Sequence, residues 1–123
     1  MGVIYLAPKF ILHDNVDLRL NKKEWKDLEK LELRHINNDN SIRLSVSSHA
    51  MNGKPFKRIK DYLNKLAEDY VKNVVQITNK IQHTQSWITV QEKGSRHQPH
   101  HHYNCMFSLV YYAHCPKSAL IFT

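Results

Sequence analysis

The sequence predicts an α+β fold in which N-terminal helices pack on an antiparallel sheet. Two observations predict it. Apolar residues recur every three or four positions in much of the first part of the chain, and β-branched and aromatic residues replace this pattern after residue 84. The 123 residues fit one domain, mainly helical over 1–83 and strand-forming over 84–123. Hydrophobic residues make up 41% of the chain, which is enough for a packed core.

Two helices are predicted in the first part of the chain. Asn21 followed by Glu24 has the spacing of a capping box, and apolar side chains then recur at helical spacing until about Leu33. The second helix begins at Pro55, a residue favoured in a first helical turn, and its apolar positions continue at steps of three or four through Val74.

Short strands are predicted where the hydrophobic period changes to two. Apolar and polar residues alternate over 42–46, between the two helices. After residue 84, β-branched and aromatic residues predict strands at 85–91, 106–113 and 119–123. Pro116 lies between the last two, so these two strands are expected to form a hairpin.

The net charge of +7 raises the question of a nucleic-acid partner. Basic and acidic residues are interspersed along the predicted helices, with the tightest basic cluster at 54–60, and this pattern favours solvated helix faces over a phosphate-binding patch. The longest nearly apolar run, 106–113, is too short to cross a membrane. No basic, apolar leader opens the sequence, so we expect a cytoplasmic protein with Cys105 and Cys115 as reduced thiols.

Histidine is the unusual component, since four of the nine lie within six positions, at 97, 100, 101 and 102. Neutral imidazole is the commonest metal ligand among side chains. In an extended backbone, residues two apart share a face with Cα atoms about 6.5–7 Å apart, so His100 and His102 can reach one ion while His101 points away. The alternative is a surface loop that chelates metal adventitiously. A mononuclear site needs a third ligand, and the other candidates are His83, His97 and His114.

The neighbourhood of these histidines carries a series of motifs. Thr-Gln-Ser-Trp at 84–87 and Lys-Gly at 93–94 are followed by His-His-His-Tyr-Asn at 100–104 and Ser-Leu-Val-Tyr-Tyr at 108–112. This series resembles a 2-oxoglutarate/Fe(II)-dependent oxygenase family of bacteria and marine phages, whose members carry T-Q-S-W, a Lys-Gly or similar turn, H-x-H-P-N-S and S-G-V-Y-Y. The resemblance covers about residues 84–123. It implies a double-stranded β-helix, a cupin-like jelly roll with flanking N-terminal helices.

The resemblance also implies a metal, a cosubstrate and a reaction. His100 takes the place of the first iron ligand, and His102 that of the usually acidic second ligand. Fe(II) and 2-oxoglutarate are the implied cofactors. In this family 2-oxoglutarate and O₂ are consumed to hydroxylate a C–H bond of a substrate, and that substrate is not specified by the residues of this chain.

Several positions depart from the family's pattern. Tyr103 replaces its proline, Cys105 its serine and Leu109 its glycine. A jelly roll has about eight strands, and the third iron ligand and the basic residue that binds the 2-oxoglutarate carboxylate belong to strands beyond those predicted here. The resemblance therefore predicts a partial double-stranded β-helix truncated at its C-terminus. The chain is then a shortened gene product, part of a longer polypeptide or a remnant domain completed by another chain, and inactivity through truncation is one expected consequence.

A partial sheet would leave an apolar edge over 107–112, which predicts a homo-oligomer or a larger assembly. The alternative function is a non-catalytic structural or interaction protein, such as a phage virion component, that keeps part of the oxygenase fold. Its location would be the host cytoplasm or the virion if the chain is phage-encoded. A basic nucleic-acid binder is the third possibility, and it depends on charge alone.

Overall fold

The computed structural model describes Gly2 and residues 17–36 and 39–115. Two α-helices and a small antiparallel sheet form the regular structure, which confirms the α+β class. No helix in these ranges is both long enough and apolar enough to span a membrane. In chain order the elements are α1 (Lys22–Glu29), β1 (Leu33–Ile36), β2 (Asp39–Ser45), a 3₁₀ turn (Lys54–Phe56), α2 (Lys57–Tyr70), a π turn (Val71–Val75) and β3 (Thr89–Gln91).

Helix α1 begins with the predicted capping box. The Asn21 side chain accepts a hydrogen bond from the Glu24 N–H at 2.8 Å, and the Glu24 carboxylate accepts one from the Asn21 N–H at 2.9 Å. The helix ends at Glu29, earlier than predicted. The N–H groups of Lys30 and Leu31 bond to carbonyls three residues back, which tightens and closes the last turn.

Helix α2 confirms the second helical prediction. A 3₁₀ turn through Pro55 leads into it, and a π turn extends the helical segment to Val75. Gln76 then adopts the left-handed conformation with φ 61°, and this ends the segment. Ile59 of α2 is buried, as is Phe56 just before it, so one face of this helical segment lies in the core.

Strand β2 is the centre of the sheet, which has the order β1-β2-β3. β1 pairs antiparallel with β2, with Leu33 opposite Ser45, and β3 pairs with the other edge, with Gln91 opposite Ile42. The strand predicted at 42–46 is therefore present and begins earlier, at Asp39. β1 was not predicted, since the first helix was expected to run to about Leu33, where β1 begins. Two of the three strands therefore come from the part predicted to be mainly helical.

The C-terminal strand predictions need correction. Only Thr89–Gln91 of the range 85–91 is a strand, and Ser86 forms an isolated parallel bridge with His49. The range 106–113 contains no strand, and two of its aromatic side chains, Phe107 and Tyr111, contact Tyr70 and Leu18 instead. The predicted strand 119–123 lies outside the described residues. In the ranges that are described, the sheet has three strands, and neither a jelly roll nor a double-stranded β-helix is seen.

The buried core draws its residues from the sheet, from the helical segment and from the chain between them. Two hydroxyls connect its parts: Ser45 Oγ accepts from the Ile88 N–H at 3.1 Å and donates to the Ser47 carbonyl at 3.0 Å, and Ser86 Oγ accepts from the Met51 N–H at 3.0 Å. These bonds fix the segment before β3 against β2 and so position the chain that enters the histidine-rich loop. The buried apolar residues are Leu18, Ile42, Ala50, Phe56, Ile59 and Val71.

Candidate metal centre

The histidine-rich loop, residues 96–103, follows the edge strand β3. The Glu92 N–H still bonds to the Ser41 carbonyl of β2 at 2.9 Å, and the Ser95 N–H then bonds back to Glu92 at 3.1 Å to form a turn. Gly94 occupies this turn with φ 82°, a conformation that side-chain-bearing residues rarely adopt. The loop therefore leaves the sheet at a defined point.

Three imidazole rings adjoin in this loop. The ring centres of His100 and His102 lie 5.1 Å apart with an interplanar angle of 83°, and those of His97 and His100 lie 4.4 Å apart at 32°. Two imidazole nitrogens bound to one ion at about 2.0–2.1 Å would leave ring centres roughly 4.5–5 Å apart. The two residues selected from sequence, His100 and His102, thus lie at a separation that fits a shared ion.

The ring of His100 is oriented by its own loop. Its Nδ1 lies 2.9 Å from the Gln98 carbonyl oxygen, and because a carbonyl only accepts, Nδ1 carries the hydrogen and donates it. In the neutral ring the lone pair is then on Nε2. Metal-binding histidines commonly donate their other N–H to a carbonyl or carboxylate in this way. His100 therefore has the tautomer and the support expected of a ligand.

The ring of His102 faces the indole of Trp87, with ring centres 6.0 Å apart and an interplanar angle of 26°. Trp87 lies just before β3, so the rigid sheet supports one side of this imidazole. The Cys105 thiol, which is free and exposed, donates weakly to the His102 carbonyl at 3.9 Å. The contact with Trp87 spans fifteen positions of sequence, and no local pattern could have indicated it.

His97 and His101 occupy different surroundings. His97 is half-buried, and burial, followed by the neighbouring charges of His100 and His102, lowers its pKa below the usual value for histidine. Its ring is therefore held neutral at a pH where an ordinary histidine begins to gain a proton, and only the neutral ring can bind a metal. His101 is exposed, and its ring contacts Tyr103 with centres 4.4 Å apart.

The other third-ligand candidates, His83 and His114, have different surroundings. His83 is half-buried beside α2, where its Nδ1 lies 3.0 Å from the Asn64 side-chain oxygen. His114 is exposed. Across the described ranges no three His, Cys, Asp or Glu side chains already converge as a set that could hold a metal ion. The third ligand expected from sequence is therefore not preassembled there.

A cavity of about 280 Å³ lies elsewhere, beside the π turn. It is lined by residues of 68–81 and by none of the loop's histidines, so it is not a cosubstrate pocket for them. The basic cluster at 54–60 is largely bonded within the chain: Arg58 binds Glu24, Lys57 binds Asp61, and Lys60 binds Asn52.

Comparison with known proteins identifies no relative of this chain. No protein-family model, no curated protein and no solved structure matches the chain. The functional argument therefore depends on the side chains of the histidine-rich loop and on the motif series in which they lie.

Proposed function

We propose that this protein binds one divalent first-row transition-metal ion through His100 and His102, and that it is an Fe(II)/2-oxoglutarate-dependent dioxygenase-like protein acting on an unidentified substrate. The observation that carries the metal site is the 5.1 Å separation of the two rings. The hydrogen bond from His100 Nδ1 to the Gln98 carbonyl supports it, since it leaves Nε2 free to bind.

The donor set suits this class of ion. Imidazole binds iron, cobalt, nickel, copper and zinc, whereas magnesium and calcium prefer oxygen ligands. When bound together, Fe(II) and 2-oxoglutarate would supply the activation of O₂, with 2-oxoglutarate, O₂ and R–H giving succinate, CO₂ and R–OH. The chain's own part is to hold the ion at His100 Nε2 and at His102, with the His102 ring supported by Trp87.

The fold proposal is finer than the α+β class. We propose, on the strength of the motif series at 84–112, that β3 belongs to a partial double-stranded β-helix of the cupin type that is completed when metal binds. The segment 106–113 is irregular in this structure and would have to become a strand in the metal-bound protein. Backbone chemical shifts measured by NMR with and without Zn(II) test this proposal. Strand-like shifts over 106–113 in the metal-bound protein would support it, and irregular shifts in both forms would refute it.

Metal binding is tested by isothermal titration calorimetry with Co(II) and, under anaerobic conditions, with Fe(II). We expect one ion per chain and an affinity lowered about tenfold or more in both His100→Ala and His102→Ala. His101→Ala is the matched control, because it removes a neighbouring exposed imidazole whose ring contacts Tyr103. Equal losses in all three variants would mean adventitious chelation by a histidine-rich loop and would refute the site.

The oxygenase part of the proposal is tested separately. Protein loaded with Fe(II) is incubated with 2-oxoglutarate and O₂, and succinate is measured, since many such reactions release some succinate without substrate. Succinate formed by the wild type and lost in His100→Ala supports the activity. Stoichiometric metal binding without succinate would refute the dioxygenase function and retain the metal site.

One observation favours the alternative, a non-catalytic protein that assembles with further copies of itself. Large apolar side chains lie exposed at the end of the histidine-rich loop and in the segment after it, with Tyr103 76%, Met106 75% and Val110 57% accessible. Sedimentation velocity tests this alternative. A defined oligomer that dissociates in Met106→Gln/Val110→Thr supports it, and a monomer across the concentration range refutes it. Val74→Thr, at an exposed apolar position in the π turn, is the control.

A further inference from the structure

We propose that His97 supplies the third protein ligand, so that one loop, residues 97–102, provides a three-imidazole site for a nitrogen-preferring divalent ion such as Zn(II) or Co(II). This inference rests on the metal site proposed above and adds a ligand to it. Neither the predicted iron pair nor the resemblance includes His97.

The placement of the rings is the first argument. The ring centre of His100 lies 4.4 Å from that of His97 and 5.1 Å from that of His102. Both separations fall near the roughly 4.5–5 Å expected for imidazoles on one ion. The planes of His97 and His100 are tilted by 32°. Because no three His, Cys, Asp or Glu side chains of the described ranges already converge as a metal-binding set, a turn of the His97 ring about its Cβ–Cγ bond is required when the ion binds.

The loop backbone is suited to bring these rings together. Pro99 lies between His97 and His100 and fixes its own φ near −65°, and it also restricts Gln98 to extended conformations. The Gln98 carbonyl accepts the hydrogen bond from His100 Nδ1 at 2.9 Å. Little conformational entropy of the loop backbone then remains to be lost when an ion binds. His97 is half-buried whereas His100 and His102 are exposed, so His97 anchors the inner side of the cluster.

The donor chemistry determines which ions the site would take. Three neutral imidazoles carry no charge, so the bound site keeps the full +2 of the ion and an open fourth position for water or an anionic cosubstrate. Such an all-nitrogen set suits Fe(II), Co(II), Ni(II), Cu(II) and Zn(II) and offers nothing to Mg(II) or Ca(II). The only acidic residue of 84–123 is Glu92, which lies before the Gly94 turn, outside the loop.

Co(II) absorption spectroscopy of the full chain tests the inference. Four-coordinate Co(II) absorbs visible light far more strongly than six-coordinate Co(II), so the band intensity reports how many ligands the protein supplies. We expect an intense band in the wild type and in the control His101→Ala. In His97→Ala we expect an affinity lowered about tenfold or more and a weaker band. X-ray absorption of the Zn(II) form should count three imidazoles in the wild type.

The outcomes separate this inference from the proposed function. Two imidazoles in the Zn(II) form of the wild type, or a His97→Ala variant that binds Co(II) as the wild type does, would overturn the role of His97 and leave the His100–His102 pair standing. Equal losses of Co(II) affinity in His97→Ala and His101→Ala would indicate adventitious chelation and would also overturn the role of His97. No binding by the wild type would overturn both. Because the X-ray count uses unmodified protein, the test does not depend on the variant folding.

Discussion

The guanidinium of Arg58 donates to both carboxylate oxygens of Glu24, with Nη2–Oε1 2.6 Å and Nε–Oε2 3.3 Å. The same carboxylate accepts the Asn21 N–H at the start of α1, and Arg58 Nη2 also donates to the Arg19 carbonyl at 2.6 Å. Glu24 is buried although it is charged. One carboxylate therefore closes the first turn of α1 and joins that helix to α2, which makes it a stability determinant that can be tested by pH.

Acid should weaken the fold through Glu24. The hydrogen bond from Arg58 lowers the pKa of Glu24, and this outweighs the opposing effect of burial. A carboxyl with a lowered pKa stabilises the folded state fully above its unfolded value, about 4.3, and this contribution is lost as the pH falls from there through the folded pKa. We expect urea unfolding between pH 6 and 3 to show this loss. The loss of stability between pH 6 and 3 should be smaller in Glu24→Gln. A pH dependence of the unfolding free energy that superimposes on that of the wild type would contradict the assignment.

The capping box should be measurable on its own. Asn21→Ala removes the side-chain acceptor for the Glu24 N–H, so we expect the free energy of unfolding to fall by about 1 kcal/mol. Asn21→Asp is the matched control, because aspartate caps a helix as well as asparagine does. Equal stability of the alanine and aspartate variants in urea titrations would show that the cap contributes nothing.

The parts of the fold that could be predicted are those determined by neighbours in sequence. Asn21 and Glu24 are three residues apart and cap α1 without help from the rest of the chain. β1 was missed because Leu33 continues the helical repeat, and its strand conformation depends on pairing with Ser45, twelve residues away. The nearly apolar run of β-branched and aromatic residues at 106–113 was misleading for the same reason, since β-propensity does not provide a partner strand.

The same distinction applies to the candidate site. The nearness of the His100 and His102 rings agrees with their spacing of two residues and could be predicted. The nearness of His97 depends on the path of the chain through Pro99, which sequence permits but does not determine. The stacking of Trp87 on His102 depends on how β3 sits in the sheet, so it could be found only from the structure.

His83 should titrate below an ordinary histidine. Burial lowers its pKa most, and the positive charge of Lys60 lowers it further. As the pH falls, His83 therefore takes up its proton in the unfolded chain before it does so in the folded protein. The contribution of His83 to the free energy of unfolding is full above about pH 6.5, decreases as the pH drops through that value, and levels off below the folded pKa. Lys60→Gln should raise the pKa of His83 measured by NMR. Lys57→Gln, whose lysine is paired with Asp61, is the control, and an unchanged pKa in Lys60→Gln would contradict the assignment.

Tyr111 should stabilise the folded state, whereas its neighbour Tyr112 should not. Its hydroxyl donates to the carbonyl of the buried residue Leu18, which joins the C-terminal described segment to the chain before α1. Tyr111→Phe leaves that carbonyl without this donor, and we expect unfolding to require about 1 kcal/mol less. Tyr112→Phe is the matched control, since Tyr112 is exposed. Equal effects of the two substitutions in thermal or urea unfolding would show that the segment is not held by Tyr111.

Trp87 should report metal binding at the loop. Its indole stacks on the ring of His102 at 6.0 Å, so a Co(II) ion on His102 would lie within short range of an indole whose fluorescence it can quench. The chain has two tryptophans, and Trp25 lies in α1, outside the loop. We therefore expect Co(II) to quench strongly in Trp25→Phe, which retains Trp87, and weakly in Trp87→Phe. The midpoint in Trp25→Phe should agree with the calorimetric affinity and move to higher Co(II) in His102→Ala. Similar quenching in both tryptophan variants would show that the ion binds elsewhere.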